Sequence, residues 1–436
     1  GENESSNRLS NGSNGSNGSN GSNGSNGSNG SSGSSGLFPL ASFPPAPYTV
    51  WDSNITEKGG FPLGRDVGID YLRSLVTVSV VAHHSALAYT TFSSFDAARY
   101  RESPMPVVDA ARFWPLDILV SWNDLFFMSL MFFISGLFVA SSIARKGGGR
   151  FMADRAKRLG VPFVLFSVVL SPIAFYPSWL LSASAGQGHY LASFFAGGTW
   201  NTGPLWFLWL LLVFCAVTAA AFRLLPRAMK GFAWTAGSTG TLPGVFLAVT
   251  LATIVPLSFF DLPDSLFLAG PFGLPHAPRV FLYFAWFLMG VMLGAGDMSR
   301  SLSRGNLRHW PLWLTLGGLS YVANALGPVL IPGLTPSATK VLLNATLSFC
   351  CVFTILGSLG LARRFFTKDL PIGDSLSDNA YGLYIFHYMF VLWAQFMLLT
   401  APIPAGLKFL LAFAFALAAS WTLTALARRT PLARVL

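Results

Sequence analysis

The sequence predicts an all-α fold, a polytopic membrane bundle of about ten transmembrane helices with both termini cytoplasmic. Three observations carry that expectation. First, 52% of the 436 residues are hydrophobic and only 11% are charged, against roughly a quarter in soluble domains. One soluble core cannot hide that much apolar surface, so most of it must face lipid. Second, the apolar residues gather in runs of spanning length. Third, Lys and Arg are distributed unevenly over the short loops between the runs, which is what fixes orientation in a bilayer. The net charge of +10 is therefore read as topology rather than a polyanion-binding stripe, and no nucleic-acid partner is expected.

In chain order, residues 1–36 form a low-complexity tail built on a tandem Asn-Gly-Ser repeat. Such a segment has nothing to bury and is expected to be a flexible tail or linker. Each repeat, and Asn54 in "NIT", is formally a glycosylation acceptor, but only on the outer side of a membrane. Residues 37–64 are an N-terminal segment, and 65–430 form the transmembrane domain. No basic n-region leads into an apolar h-region, so the first span is expected to act as its own insertion signal.

The predicted spans are Ile69–Tyr89, Pro115–Ala144, Leu159–Leu181, Gly203–Leu225 and Leu242–Phe260, then Val280–Gly296, Pro311–Pro332, Ala338–Ala362, Asp378–Leu399 and Ile403–Ala427. If the first runs outward, the inner loops and tail hold the clusters at 145–158, 223–230, 300–308, 363–368 and 428–434. The outer loops hold only Arg99, Arg101, Arg112, Arg279, Lys340 and Lys408. The bias is about three to one in the direction the positive-inside rule requires. Cys215, Cys350 and Cys351 all fall inside apolar runs with no ligand spacing, so they are expected to be buried small hydrophobes, without disulfide or metal.

Polar residues inside these runs point to chemistry. "VSVVAHHSALAY" carries His83 and His84 on adjacent positions of the first span. They project about 100° apart, so at most one can enter a given site. Asp124, counted inward from the outer end of the second span, reaches nearly the depth of His84, so an antiparallel neighbour could offer the imidazole a carboxylate. The alternative is a histidine satisfied by a backbone carbonyl or water.

Arg73 lies one turn into the first span, and Arg155 and Arg158 open the third at three-residue spacing. Guanidinium forks at an interface suit a phosphate-bearing ligand; they also suit topology or lipid headgroups. Tyr381, Tyr384 and His387 form one polar row on the ninth span, suited to lining a cavity or to ordinary interhelical hydrogen bonding. Trp206, in "GGTWNTGPLWFLW", fits either an interfacial aromatic belt or a sugar-stacking face. His189 and His276 are expected to be solvated loop residues.

Taken together these motifs resemble the acyltransferase-3 family of membrane proteins. "IDYLRSLVTVSVVAHHSALAY" is similar to its first-helix signature, an Arg followed eleven positions later by the catalytic His, which here joins Arg73 to His84. "FFISGLF", "RAKRLGVPF", "GPLWFLW" and "AYGLYIFHY" follow in the family's order, over about residues 65–400. The resemblance, nearest in kind to glucan-modifying members, implies transfer of an acetyl- or succinyl-type group from acyl-CoA to a carbohydrate hydroxyl. It further implies no metal or prosthetic group, a multi-pass location in a bacterial cytoplasmic membrane, and membrane lipids and a glycan acceptor as partners. His84 and Asp124 would carry the chemistry, Arg73, Arg155 and Arg158 the donor, and Trp206, Tyr384 and His387 the acceptor. A competing reading is a proton-coupled transporter built on the same buried His and Asp. Against it, no repeat relates the two halves of the chain.

Overall fold

The computed structural model describes residues 66–196, 201–229, 231, 242–255, 258 and 279–434. The Asn-Gly-Ser tail, Asn54, Lys230 and His276 lie outside the described residues. Among the described residues every regular element is helical. A helix falls, among the described residues, on each of the apolar runs: α1 Val67–Leu87, α2 Pro115–Leu137, α3 Val161–Leu180, α4 Trp206–Leu224 and α5 Leu242–Ile254, followed by α6 Val280–Ala295, α7 Trp310–Leu330, α8 Pro336–Phe365, α9 Pro371–Leu398 and α10 Ala405–Ala427. Six helical stretches among the described residues, those containing α2, α3, α4, α8, α9 and α10, are long and apolar enough to cross a membrane. α5 and α6 are apolar but shorter.

α1 is not among the six because Asp70, Arg73, His83 and His84 dilute its hydropathy. It can carry them because it is shielded, packing against α2, α8, α9 and α10. Two boundaries depart from expectation for local reasons. The second run breaks at Phe138, where the backbone leaves the helical region (φ −102°, ψ 1°) and a separate helix, Val139–Lys146, begins. α9 starts seven residues before the apolar run, because Pro371 opens the helix and the Tyr71 hydroxyl pins its first turn. That hydroxyl accepts from the Leu370 N–H at 2.6 Å and donates to Asp374 at 2.8 Å.

α2 and α6 meet closely enough that only glycine fits. A Cβ on Gly136 would lie 2.2 Å from the Phe287 carbonyl oxygen, and one on Gly294 would lie 1.9 Å from that of Leu137. Gly290 and Gly294 form the small-xxx-small spacing by which membrane helices approach backbone to backbone. α3 contains Pro172 and Pro177. Pro177 has no N–H for the Ile173 carbonyl one turn earlier, and that carbonyl accepts instead from Trp393 Nε1 of α9 at 2.9 Å. The helix defect thus becomes a stitch between α3 and α9.

The helix ends sort into two groups. At one, Arg363 near the end of α8 pairs with Asp66 at 2.7 Å, and Arg428 just past α10 donates to Asn379 of α9 at 3.4 Å. At the other, Lys408 of α10 and Asp109 pair at 2.6 Å with side chains 3% and 2% exposed. Arg112 donates to the carbonyls of Ala88 and Thr90, both at 3.2 Å, just past α1. Cys215, Cys350 and Cys351 are free and buried, and His189 is exposed, as the sequence suggests.

Candidate active site

His84 sits in the last turn of α1, half-buried, with its Nδ1 sealed and without a hydrogen-bond partner. Its ring faces α9: the His387 centroid is 5.4 Å away and that of Tyr388 is 5.1 Å away, edge-on. His387 is fully buried; its Nδ1 bonds the Tyr384 carbonyl at 2.7 Å and its Nε2 has no partner. His83 turns the other way and stacks on Phe127 of α2 at 5.0 Å. The two adjacent histidines therefore occupy different surroundings, as the 100° offset requires.

The expected pairing of Asp124 with His84 is not what the structure shows. Asp124 accepts from the Arg279 guanidinium at 2.6 Å, and Arg279 also bonds the Asp124 carbonyl at 3.0 Å. Residue counting compares depth alone; the direction of Asp124 around α2 sends it to Arg279, at the start of α6. Arg279, counted in the sequence as an outer-loop charge, is thus fixed by an ion pair. One turn along, Tyr283 stacks on Phe132 at 5.3 Å and on Trp206 at 6.0 Å. Trp206 is half-buried on this aromatic stack rather than standing alone at a membrane rim.

Tyr384 donates its hydroxyl to the carbonyl of Pro204, tying α9 to the turn that opens α4. In that turn Gly203 has φ +56°, and Asn201 Oδ1 accepts its N–H at 2.8 Å. A Cβ on Gly203 would lie 2.5 Å from the Tyr388 ring. A Gly203→Ala change should therefore displace Tyr388 from His84 and lower turnover, on the order of tenfold, more than it lowers thermal stability; steady-state kinetics beside a melting curve check this.

Toward the other end of α9, Arg73 reaches Ser377 at 3.4 Å and Asp70 at 3.6 Å. Tyr381 donates its hydroxyl to the Arg158 carbonyl. Arg155 and Arg158 do not continue one regular helix. The helix Gly148–Arg155 passes into a π-helical turn, Ala156–Gly160, which alters the direction that spacing alone would assign to Arg158. The Arg155 guanidinium lies over the Phe151 ring, 5.2 Å from its centroid. Arg155 is half-buried; Arg158 and Lys157 are exposed.

One face of α9 thus runs from Ser377 through Tyr381 and Tyr384 to His387 and Tyr388, touching the Arg73 guanidinium and the Arg158 backbone at one end and His84 at the other. Gln395 extends this face; its amide donates to the carbonyls of His84 and Ser85. Sequence reasoning passed over Gln395 and Tyr388, and read Arg279 only as an outer-loop charge. A lone amide in "VLWAQFML" was the available signal for the first.

These features define a multi-pass helical membrane protein with an internal imidazole joined by a polar seam to a cationic end. The acyltransferase-3 family model, described as an acyltransferase domain, matches residues 66–425. The chain belongs to this family and is an acyltransferase. No curated protein and no solved structure matches it.

Proposed function

We propose that the chain is an integral membrane O-acyltransferase that moves an acetyl- or succinyl-type group from acyl-CoA to a carbohydrate hydroxyl, most simply a glucan, with His84 as general base. The observation that supports this reading is the seam on α9, which runs from the Arg73 guanidinium and the backbone of Arg158 to the ring of His84. Ser377 and His387 are separated by ten residues of helix, or about 15 Å, a distance suited to the extended thiol arm of an acyl-CoA. The positive-inside rule puts the end bearing Arg155, Arg158, Arg363 and Arg428 in the cytoplasm, where acyl-CoA is made, in the inner membrane of a bacterial cell.

In the reaction, the acceptor oxygen attacks the thioester carbon as its proton passes to the His84 imidazole. The new C–O bond forms, the C–S bond breaks, and the CoA thiolate leaves, taking a proton from the imidazolium. Arg73, Arg155 and Arg158 hold the donor phosphates by charge-assisted hydrogen bonds. Tyr384 and His387 line the reaction chamber. Trp206, beside Tyr283 and the Arg279–Asp124 pair, offers an aromatic face and fixed polar groups of the kind a sugar ring needs. On this reading Asp124 orders the acceptor side rather than the imidazole itself.

Membranes containing the protein and supplied with radiolabelled acyl-CoA should label a glycan. Arg155→Glu should raise the donor KM at least about tenfold, as for loss of one charge-assisted contact. Label that enters no carbohydrate, or an unchanged donor KM, would contradict the reading.

A further inference from the structure

α1 ends at Leu87, so the carbonyls of His84, Ser85, Ala86 and Leu87 have no continuing helix to accept from. Each is nevertheless satisfied. The Ala86 oxygen accepts from the Tyr89 N–H at 2.9 Å. Leu87 accepts from the hydroxyls of Thr90 (3.2 Å) and Ser93. The other two, His84 and Ser85, are served from another helix, by a single amide: Gln395 Nε2 of α9 donates to them at 2.9 Å and 3.1 Å. Gln395 is 1% exposed, in an otherwise apolar stretch of α9.

This contact falls on the backbone of the residue whose side chain is proposed to react. It also comes from the helix that carries the rings against which that side chain lies, His387 and Tyr388, two turns earlier. An amide that merely joined two helices could sit at any depth. Placed here, it fixes the height and rotation of the last turn of α1 relative to α9, and hence where the imidazole points.

We propose that Gln395 is a positioning residue for His84, a role that rests on His84 being the base. An error of about 1 Å in such a placement can cost about a hundredfold in rate without altering substrate binding. The test uses the full chain in membranes or detergent, with Gln395→Leu compared with Asn324→Leu. Asn324 makes a similar interhelical contact, between α7 and α8, that involves no residue placed in the site: it donates to the Leu343 carbonyl and Thr346 hydroxyl, both at 2.8 Å. Both variants lose an interhelical polar contact, so both should lower the melting midpoint.

Only Gln395→Leu should lower kcat per folded molecule, by about 10- to 100-fold, with KM for acyl-CoA within about twofold of the parent. Equal kcat per folded molecule in the two variants, or a loss in Gln395→Leu that appears wholly in KM, would overturn the proposal. His84→Ala, run in parallel, separates the two failures. If it retains full activity, the general-base reading falls. If it is inactive while Gln395→Leu turns over normally, only the positioning role falls.

Discussion

Replacing His84 with Ala is expected to lower acyl transfer by roughly 10²- to 10⁴-fold, the range that loss of a general base commonly produces. Donor binding should survive, because the arginines lie at the far end of α9, about 15 Å along the helix. His83→Ala is the informative comparison. His83 stacks on Phe127 and faces α2, so its removal should leave most turnover intact while loosening the packing there. The structure gives this distinction a geometric basis: one imidazole meets the polar face of α9, and its neighbour meets a phenyl ring. Acyl-transfer assays on both variants, normalised to folded protein, measure it. Loss of activity in His83→Ala with retention in His84→Ala would reverse the assignment.

Lys408→Met is expected to be the most destabilising single change outside the site. Its ammonium and the Asp109 carboxylate are almost wholly enclosed and 2.6 Å apart, and Lys408 also donates to the Leu399 carbonyl at 3.1 Å. Removing the cation strands a buried carboxylate, at a cost of about 3–5 kcal/mol. The same pair fastens α10 to the loop between α1 and α2, since the Asp109 N–H bonds the Ala88 carbonyl just past α1. The damage should therefore spread toward the histidine end. The double variant Lys408→Met/Asp109→Asn should recover most of the loss, because Asn still accepts from the Ala111 N–H and no charge is left unpaired. Thermal melting in detergent reports both effects. A single variant as stable as the parent would mean that the pair carries no weight.

What the sequence made legible follows from what a bilayer demands of a chain. Apolar runs had to be helical because lipid offers no partner to a backbone amide, so the helical character of these runs could be read from composition alone. The row Tyr381, Tyr384, His387 was readable because helical spacing alone puts those side chains on one face. What stayed hidden depended on rotation about helix axes. Asp124 and His84 could be matched in depth by counting residues, yet which way each points is set by packing against third helices. α6, drawn close by Gly290 and Gly294, brings Arg279 to Asp124.

The direction of Arg158 relative to Arg155 was not legible for a related reason: spacing presumes a regular helix, and a π-helical turn intervenes. Gln395 went unread because its partners are backbone carbonyls at the end of another helix, and no side-chain pattern announces those. Trp206 had two readings in the sequence, and only its stacking on Tyr283 shows that it belongs to an internal aromatic cluster.

The most direct test feeds the two substrates from opposite faces. Inside-out vesicles bearing the protein, given labelled acyl-CoA outside and a glucan acceptor sealed within, should accumulate labelled glucan in the lumen with the parent chain and none above background with His84→Ala. Equal luminal labelling by His84→Ala, or labelling only when donor and acceptor share one face, would contradict an imidazole that joins a cytoplasmic thioester to an exported hydroxyl.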